Sequence, residues 1–199
     1  MFQIRIHGRG GQGVVTAAEL LSVAAFRDGL HAQAFPSFGS ERTGAPVVAF
    51  CRISHHPIRS REPVMEPDAL IIQDSTLLQS VDVFAGAAPS AYILINTTRS
   101  FDDLGLAEFF ANRQAERNLI LPASEIALRL VGRPMPNAAL LGGFAAATGL
   151  VTLKSVLGAI GERFPERIAA ANIAAAQEAH DFVLSARKEV KEGEHASTN

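Results

Sequence analysis

The sequence predicts a Rossmann-like α/β fold, with a mainly parallel sheet, flanking helices and a helical C-terminal part. Three features predict it: a glycine-rich turn between a first strand and a first helix, apolar runs that alternate with helical segments over the first two-thirds of the chain, and a last third made of helices alone. Continuous apolar strands that alternate with helices are typical of a parallel sheet buried on both faces. We expect one domain over residues 1–187 and a polar, disordered tail over 188–199.

Short apolar runs rich in β-branched and aromatic residues predict the strands. They lie at residues 2–7, 31–36, 46–53, 69–74, 91–96 and 118–121. Between them, one helix is predicted over residues 13–27 and another over 104–117. Only Glu19 and Arg27 are charged in the first of these helices. We therefore expect it to be covered on more than one side, by the sheet and by a further surface such as a partner.

Proline and glycine residues delimit the helices of the C-terminal third. These helices are predicted over residues 123–131, 137–149, 152–163 and 166–187. Pro134 and Pro136 separate the first two, Gly149 ends the second, and Pro165 begins the last. The last helix contains two runs of three alanines, and such small side chains allow neighbouring helices to approach closely.

The composition excludes several classes of protein. A net charge of −2 over 199 residues offers no electrostatic footprint for nucleic acid. The apolar runs are interrupted before they reach the roughly 18 residues of a membrane span, and the N-terminal segment enters a strand without a signal-peptide layout. Cys51 is the single cysteine and the six histidines lack metal-ligand spacing. We expect a cytoplasmic protein with no metal site and no catalytic residue of its own.

The first motif is the glycine-rich turn of residues 8–13, Gly-Arg-Gly-Gly-Gln-Gly. It matches the G-x-G-x-x-G spacing between a strand and a helix, where backbone N–H groups can approach a phosphate, and Gln12 adds a side-chain donor. A dinucleotide site also needs an acidic residue about 20 residues further on, and residues 31–37 contain none. The turn therefore suits a phosphate, but the NAD signature is incomplete. Alternatively, the turn needs its glycines only for packing.

The second motif is the polar loop of residues 36–46, between two strands. We expect it to face the glycine turn, because strand ends in an open α/β sheet border the ligand crevice. Arg42 can hold a phosphate or a carboxylate, and Ser37, Glu41 and Thr43 would shape the loop. The alternative is a surface loop with a local Glu41–Arg42 ion pair of little energetic value.

Three further polar residues follow strands or begin helices. Asp74 and Asn96 end apolar runs and head the loops after them. For Asp74 we expect helix capping, whereas Asn96 either makes loop hydrogen bonds or lines the crevice. Asn137 is predicted to cap the helix that contains Gly142 and Gly143.

Together these motifs resemble the gamma subunit, or gamma domain, of the 2-oxoacid:acceptor oxidoreductases, the pyruvate:ferredoxin oxidoreductase family. The resemblance covers about residues 2–185. It rests on the Gly-Gly-Gln-Gly turn at 10–13 paired with the Glu-Arg-x-Gly loop at 41–44, followed by Asp74, Asn96 and Asn137. The form of the second loop resembles the pyruvate-type branch, but Thr43 stands where many relatives carry a second Arg or a Gly.

The resemblance implies a multi-subunit complex with alpha, beta and ferredoxin-like delta subunits. Such complexes, typical of anaerobic metabolism, oxidatively decarboxylate a 2-oxoacid to an acyl-CoA. The substrate is pyruvate-like or aromatic, such as phenylglyoxylate or indolepyruvate, and the electrons pass to ferredoxin or, through an added FAD subunit, to NAD. Thiamine diphosphate, Mg²⁺ and [4Fe-4S] clusters would lie in partner chains, in agreement with the single cysteine and the lack of a Gly-Asp-Gly…Asn-Asn segment.

The resemblance also implies that this chain helps enclose the active site and binds coenzyme A (CoA), with the glycine turn holding a CoA phosphate or contacting a partner subunit. The candidate ligand-binding residues are Gly8, Arg9, Gly10, Gly11, Gln12, Gly13, Ser37, Glu41, Arg42, Thr43, Asn96 and Asn137. Two alternatives stay open. A stand-alone nucleotide-binding reductase would need the missing ribose-binding acid, and a purely structural assembly subunit would suit the apolar first helix and the alanine-rich last helix.

Overall fold

The computed structural model describes residues 1–37 and 43–196, with side chains up to residue 190. In chain order, the elements are β1 (Phe2–Arg9), α1 (Val14–Arg27), β2 (His31–Pro36), β3 (Pro46–Ser54), β4 (Ala69–Ile72), β5 (Tyr92–Asn96), α2 (Ala107–Ala111), β6 (Asn118–Leu121), α3 (Ala123–Val131), α4 (Asn137–Thr148), α5 (Leu153–Arg163) and α6 (Glu166–Ala196). Short 3₁₀ helices occupy Ser75–Gln79 and Ala115–Arg117.

The six strands form one sheet in the order β2-β3-β1-β4-β5-β6. Strands β1, β4, β5 and β6 are parallel to one another. Strand β3 is antiparallel to both of its neighbours, so it alone runs against the direction of the other five. The prediction of a mainly parallel α/β sheet is confirmed. The reversal of β3 follows from the connection 37–45, which is shorter than the dozen or so residues of a helical crossover.

Helices α4 and α6 cover one face of the sheet and pack against each other at very close range. Every residue of α4 from Asn137 to Ala147 is buried, as expected of a helix that is apolar all round. A Cβ added at Gly142 would lie 1.9 Å from the carbonyl oxygen of Ala176 in α6. Gly142 is therefore required for the contact between α4 and α6. The small alanine side chains of α6 form the α6 surface of this contact.

The opposite face of β1 and β3 carries buried polar residues that bind the connections on either side of β4. Arg5 donates through Nε to His7 Nε2 at 3.0 Å, and its other nitrogens donate to the backbone carbonyls of Val64, Val83 and Ala85. Burial, followed by the nearby charge of Arg5, lowers the pKa of His7 to about 4. A neutral imidazole thus accepts from a buried guanidinium, and the pair anchors the segments around residues 64 and 83–85 to the sheet.

Several predicted boundaries differ from the observed ones. Strand β1 continues to Arg9 because Gly8 and Arg9 pair with Val47 and Pro46, so the first two residues of the predicted turn belong to a strand. The helix predicted over 104–117 is reduced to α2 and a 3₁₀ turn. Gly105 lies inside the predicted range but has a φ of 71°, which an α-helix does not allow, so α2 begins only after it.

Helix α6 extends past the end predicted at residue 187, into the segment expected to be a disordered tail. Ala186, Arg187, Lys188 and Glu189 are good helix formers and explain the continuation. Within the described part of the chain, every helix is too short or too polar to cross a membrane.

Candidate functional site

Two crevices flank the glycine turn at the carboxyl edge of the sheet. The strand-end crevice, of about 330 Å³, lies beyond β4, β5 and β6 and is lined by Gln12, Gln73, Asp74, Ser75, Asn96, Thr97, Thr98, Arg99, Pro122, Ser124 and Glu125. The helix-start crevice, of about 420 Å³, lies at the beginning of α1 and is lined by Arg9, Gly10, Gly11, Gly13, Val14, Val15, Thr16, Pro36, Val47 and Met135. Gln12 faces the first crevice, whereas Gly10, Gly11 and Gly13 face the second.

The glycine turn and the second loop are in direct contact through their backbones. Gly10 donates its N–H to the carbonyl of Ala45 at 2.9 Å and accepts from the N–H of Gly44 at 3.0 Å, and it also forms a bridge to Thr43. The N–H of Gln12 donates to the carbonyl of Arg9 at 3.0 Å. The N–H groups of Gly10 and Gln12 are therefore used inside the chain and do not serve an anion, contrary to expectation.

Three further backbone donors lie at the start of α1. The first hydrogen bond that closes a turn of α1 runs from the N–H of Ala17 to the carbonyl of Gly13 at 2.9 Å. The N–H groups of Val14, Val15 and Thr16 precede it, so they have no partner inside the helix. All three residues line the helix-start crevice. Their N–H groups and the positive end of the helix dipole favour an anion there.

The glycines of the turn serve different purposes. A Cβ at Gly8 would lie 2.6 Å from Cγ2 of Val14, and a Cβ at Gly13, which has a φ of 73°, would lie 2.7 Å from Nδ2 of Asn137. These two glycines are explained by packing. Gly11 has a φ of 94°, a backbone conformation that favours glycine. No heavy atom of the described residues lies within 4 Å of the position that a Cβ would take there, and Gly11 borders the helix-start crevice.

Gln12 is held at both ends of its side-chain amide. Its Oε1 accepts from the N–H of Arg9 at 2.7 Å, and its Nε2 donates to Oδ2 of Asp74, also at 2.7 Å. The expected role of Gln12 as a free donor is thus replaced by a link between the turn and the segment after β4. Sequence reasoning did not find this contact, because Gln12 and Asp74 are far apart in the chain.

Asp74 and Arg9 complete the same network. Oδ1 of Asp74 accepts from the N–H and the hydroxyl of Thr76 at 2.9 and 2.6 Å, so Asp74 caps the 3₁₀ helix as predicted. The guanidinium of Arg9 donates to Thr76 Oγ1 and to the carbonyl of Gly44, and lies 3.3 Å from Oδ2 of Asp74. Partial burial raises the pKa of Asp74, but hydrogen bonds from Thr76 and Gln12 and the charge of Arg9 outweigh it and lower the pKa.

Asn96 and Asn137 are buried, and each makes hydrogen bonds inside the chain. Nδ2 of Asn96 donates to the carbonyl of Gln73 at 2.7 Å, and its Oδ1 accepts from the N–H of Ser124 at 3.0 Å. This asparagine therefore joins β4, β5 and the start of α3. Asn137 is the first residue of α4, after Pro136 in the cap position, and its Oδ1 accepts from the N–H of Ala138 at 2.9 Å. The prediction that Asn137 caps α4 is therefore wrong: the cap position is taken by Pro136, and no side chain makes a cap hydrogen bond there.

Ser37, Glu41, Arg42 and Gln73 are the remaining polar residues to place. The N–H of Ser37 donates to the carbonyl of Val48 at 2.8 Å, whereas Glu41 and Arg42 lie outside the described residues. Gln73, which sequence reasoning missed because it ends an apolar run, is 1 % exposed, and its side-chain amide has no hydrogen-bond partner among the described residues. Among the side chains described, those of residues 1–37 and 43–190, no group of three or more His, Cys, Asp or Glu is arranged to hold a metal ion.

Known proteins resemble this chain over most of its length. The family model described as pyruvate ferredoxin/flavodoxin oxidoreductase matches residues 3–182. Pyruvate synthase subunit PorC of Methanosarcina barkeri is 51% identical over 160 residues, which cover 80% of this chain and 85% of that protein. The common gamma subunit of the pyruvate/ketoisovalerate oxidoreductases of Pyrococcus furiosus is 43% identical over 181 residues, which cover 91% and 96%. The crystal structure of pyruvate oxidoreductase subunit PORC from Thermotoga maritima superposes with a TM-score of 0.77 at 34% identity and covers 90% of this chain and 95% of that one.

Proposed function

This chain belongs to the pyruvate ferredoxin/flavodoxin oxidoreductase family as a gamma-type subunit, and we propose that it binds the phosphates of CoA and helps enclose the active site of a multi-subunit 2-oxoacid oxidoreductase. The complex would contain alpha, beta and ferredoxin-like delta subunits and would oxidise pyruvate or an aromatic 2-oxoacid to the acyl-CoA. Ferredoxin, or NAD reached through a flavin subunit, would accept the electrons.

The redox cofactors belong to the partner subunits in this proposal. Cys51 is the single cysteine of the chain, and burial raises the pKa of its thiol to about 12. One protonated, buried cysteine does not supply the thiolate ligands of an iron–sulfur cluster. Thiamine diphosphate, Mg²⁺ and [4Fe-4S] clusters are therefore assigned to the other chains, which supply the chemistry of decarboxylation and electron transfer.

The observation that carries the proposal is the open space at Gly11 beside the start of α1. Gly11 borders the helix-start crevice, and a Cβ added to it would meet no heavy atom of the described residues within 4 Å, so these residues leave room for a phosphate at the backbone there. The N–H groups of Val14, Val15 and Thr16 would donate to its oxygens, and the helix dipole would add a favourable field. The role of this chain is to bind and orient the anionic end of CoA.

The proposal is tested by Gly11→Asn in the assembled complex. Asparagine tolerates positive φ better than most side chains, so the free energy of unfolding should fall by about 1–2 kcal/mol. The side chain would occupy the phosphate position, and loss of a charge-assisted hydrogen bond should raise the KM for CoA about tenfold while kcat is retained. Steady-state kinetics with varied CoA measure this effect.

The matched control is Gly29→Asn. Gly29 follows the other end of α1, has a φ of 79°, and would likewise have no heavy atom within 4 Å of an added Cβ. It should carry the same backbone cost without any change in the KM for CoA. Equal CoA kinetics in the two variants would contradict the assignment of the phosphate to the helix-start crevice.

The alternatives find less support in the geometry. A dinucleotide-binding reductase of the usual type places an acid at the end of the strand beside β1. Here β3 lies between β1 and β2, and β2 ends at Pro36 without an acid. A purely structural assembly role accounts for Gly8 and Gly13 by packing and for Gly11 by its φ of 94°, but gives no role to the N–H groups of Val14, Val15 and Thr16 beside the helix-start crevice.

A further inference from the structure

We propose that Asp74 is a positioning residue for CoA binding, which acts through Gln12 to fix the shape of the glycine turn. The inference rests on the proposed function, because it concerns the same crevice. Asp74 itself lies on the other side of the turn, in the strand-end crevice, and does not contact the proposed phosphate position. Its carboxylate contacts the turn through Gln12, on the side opposite the helix-start crevice.

The direction of the hydrogen bonds makes Asp74 necessary. The backbone N–H of Arg9 can only donate, so the oxygen of the Gln12 amide must face it, as it does at 2.7 Å. The amide nitrogen of Gln12 then points to Asp74 and needs an acceptor, which Oδ2 provides at 2.7 Å. A carboxylate accepts at both oxygens, whereas an amide at position 74 would present a second donor to Gln12 or would lose its bond to Thr76.

The same carboxylate also positions the guanidinium group of Arg9. The Arg9 guanidinium reaches Asp74 Oδ2 at 3.3 Å and Thr76 Oγ1 at 2.8 Å, while Asp74 Oδ1 holds Thr76. Asp74 thus ties together the segment after β4, the Arg9 side chain and the Gln12 side chain. This three-way link spans the turn that contains Gly10 and Gly11.

Loss of the link should loosen the turn without unfolding the chain. With asparagine at position 74, the cap on the 3₁₀ helix is kept, because its oxygen still accepts from Thr76. The contact with Gln12 becomes donor against donor, so the Gln12 side chain is released. The donors at the start of α1 would then be held less well against the anion.

The test is a reciprocal exchange in the assembled complex: Asp74→Asn, Gln12→Glu and the double variant. Each single variant should raise the KM for CoA about tenfold with kcat retained, since one charge-assisted hydrogen bond is lost or two carboxylates are opposed. In the double variant, the glutamate accepts from the N–H of Arg9 and from the asparagine, so the KM should return to within about threefold of the wild-type value. A merely structural loss at either position would not be rescued.

Amide hydrogen exchange over residues 10–16 in the same complexes gives a readout that is independent of CoA. Exchange should be faster in both single variants and return to the wild-type rate in the double variant. Additive KM effects together with unrestored exchange would overturn the role of Asp74. A wild-type complex that shows no dependence on CoA would overturn the proposed function, and the exchange pattern would still decide whether Asp74 holds the turn.

Discussion

Replacement of Gly142 by valine should lower the free energy of unfolding by more than about 3 kcal/mol. A Cβ at this position would lie 1.9 Å from the carbonyl oxygen of Ala176 and 2.6 Å from its carbonyl carbon. Both obstructing atoms belong to the backbone of α6, so no change of rotamer relieves the contact. Either α4 and α6 must separate or α4 must shift against the sheet. Chemical denaturation followed by circular dichroism measures the loss.

Gly161→Val is the matched control for this substitution. Gly161 lies in the last turns of α5, is exposed, and has open space for a Cβ, with no heavy atom within 4 Å. Valine there meets no obstacle and has a slightly higher helix propensity than glycine, so stability should stay within about 0.5 kcal/mol of the wild type. Equal stabilities of the two variants would contradict the close packing of α4 on α6.

Acidification should destabilise the fold through His7, by about 2 kcal/mol between pH 7 and pH 5. Burial and the charge of Arg5 lower the pKa of His7 from 6.5 to about 4 in the folded chain. Between these two values the unfolded chain binds more protons than the folded one, so stability falls as the pH falls. The contribution of neutral His7 to the free energy of unfolding is complete above pH 6.5 and is lost as the pH approaches about 4. Denaturant titrations at several pH values measure it.

His7→Gln separates this effect from the titration of other groups. The glutamine oxygen can accept from Nε of Arg5, as the imidazole does at 3.0 Å, but glutamine does not titrate. The variant should therefore lose most of the dependence of stability on pH between 5 and 7. The same slope in the wild type and in the variant would show that His7 is not the responsible group.

The sequence predicted the elements well because each strand is a short, continuous apolar run. Strand β6 and helix α3 occupy the predicted residues, 118–121 and 123–131. Local signals were sufficient there: an apolar run for the strand, followed at once by a helical segment. The family resemblance, which depended on two loops and their order in the chain, is confirmed by the match over residues 3–182.

The interior of the site could not be predicted, because it depends on contacts between distant segments. Gln12 and Asp74 lie on separate connections, and their hydrogen bond exists only because β1 and β4 are neighbours in the sheet. Likewise, Arg5 and His7 appeared as ordinary strand residues, although they are buried and joined by a hydrogen bond. Alternation along β1 indicates a polar face but does not indicate what covers it.

The most direct test of the central claim is anaerobic purification of the tagged chain from its native cell, with mass spectrometry of the proteins and cofactors that co-purify. A gamma subunit should be recovered with larger subunits that carry thiamine diphosphate and iron–sulfur clusters, and the complex should reduce ferredoxin or NAD with a 2-oxoacid and CoA. Recovery of the chain alone, as a stable species with a bound dinucleotide, would contradict the account and favour a stand-alone reductase.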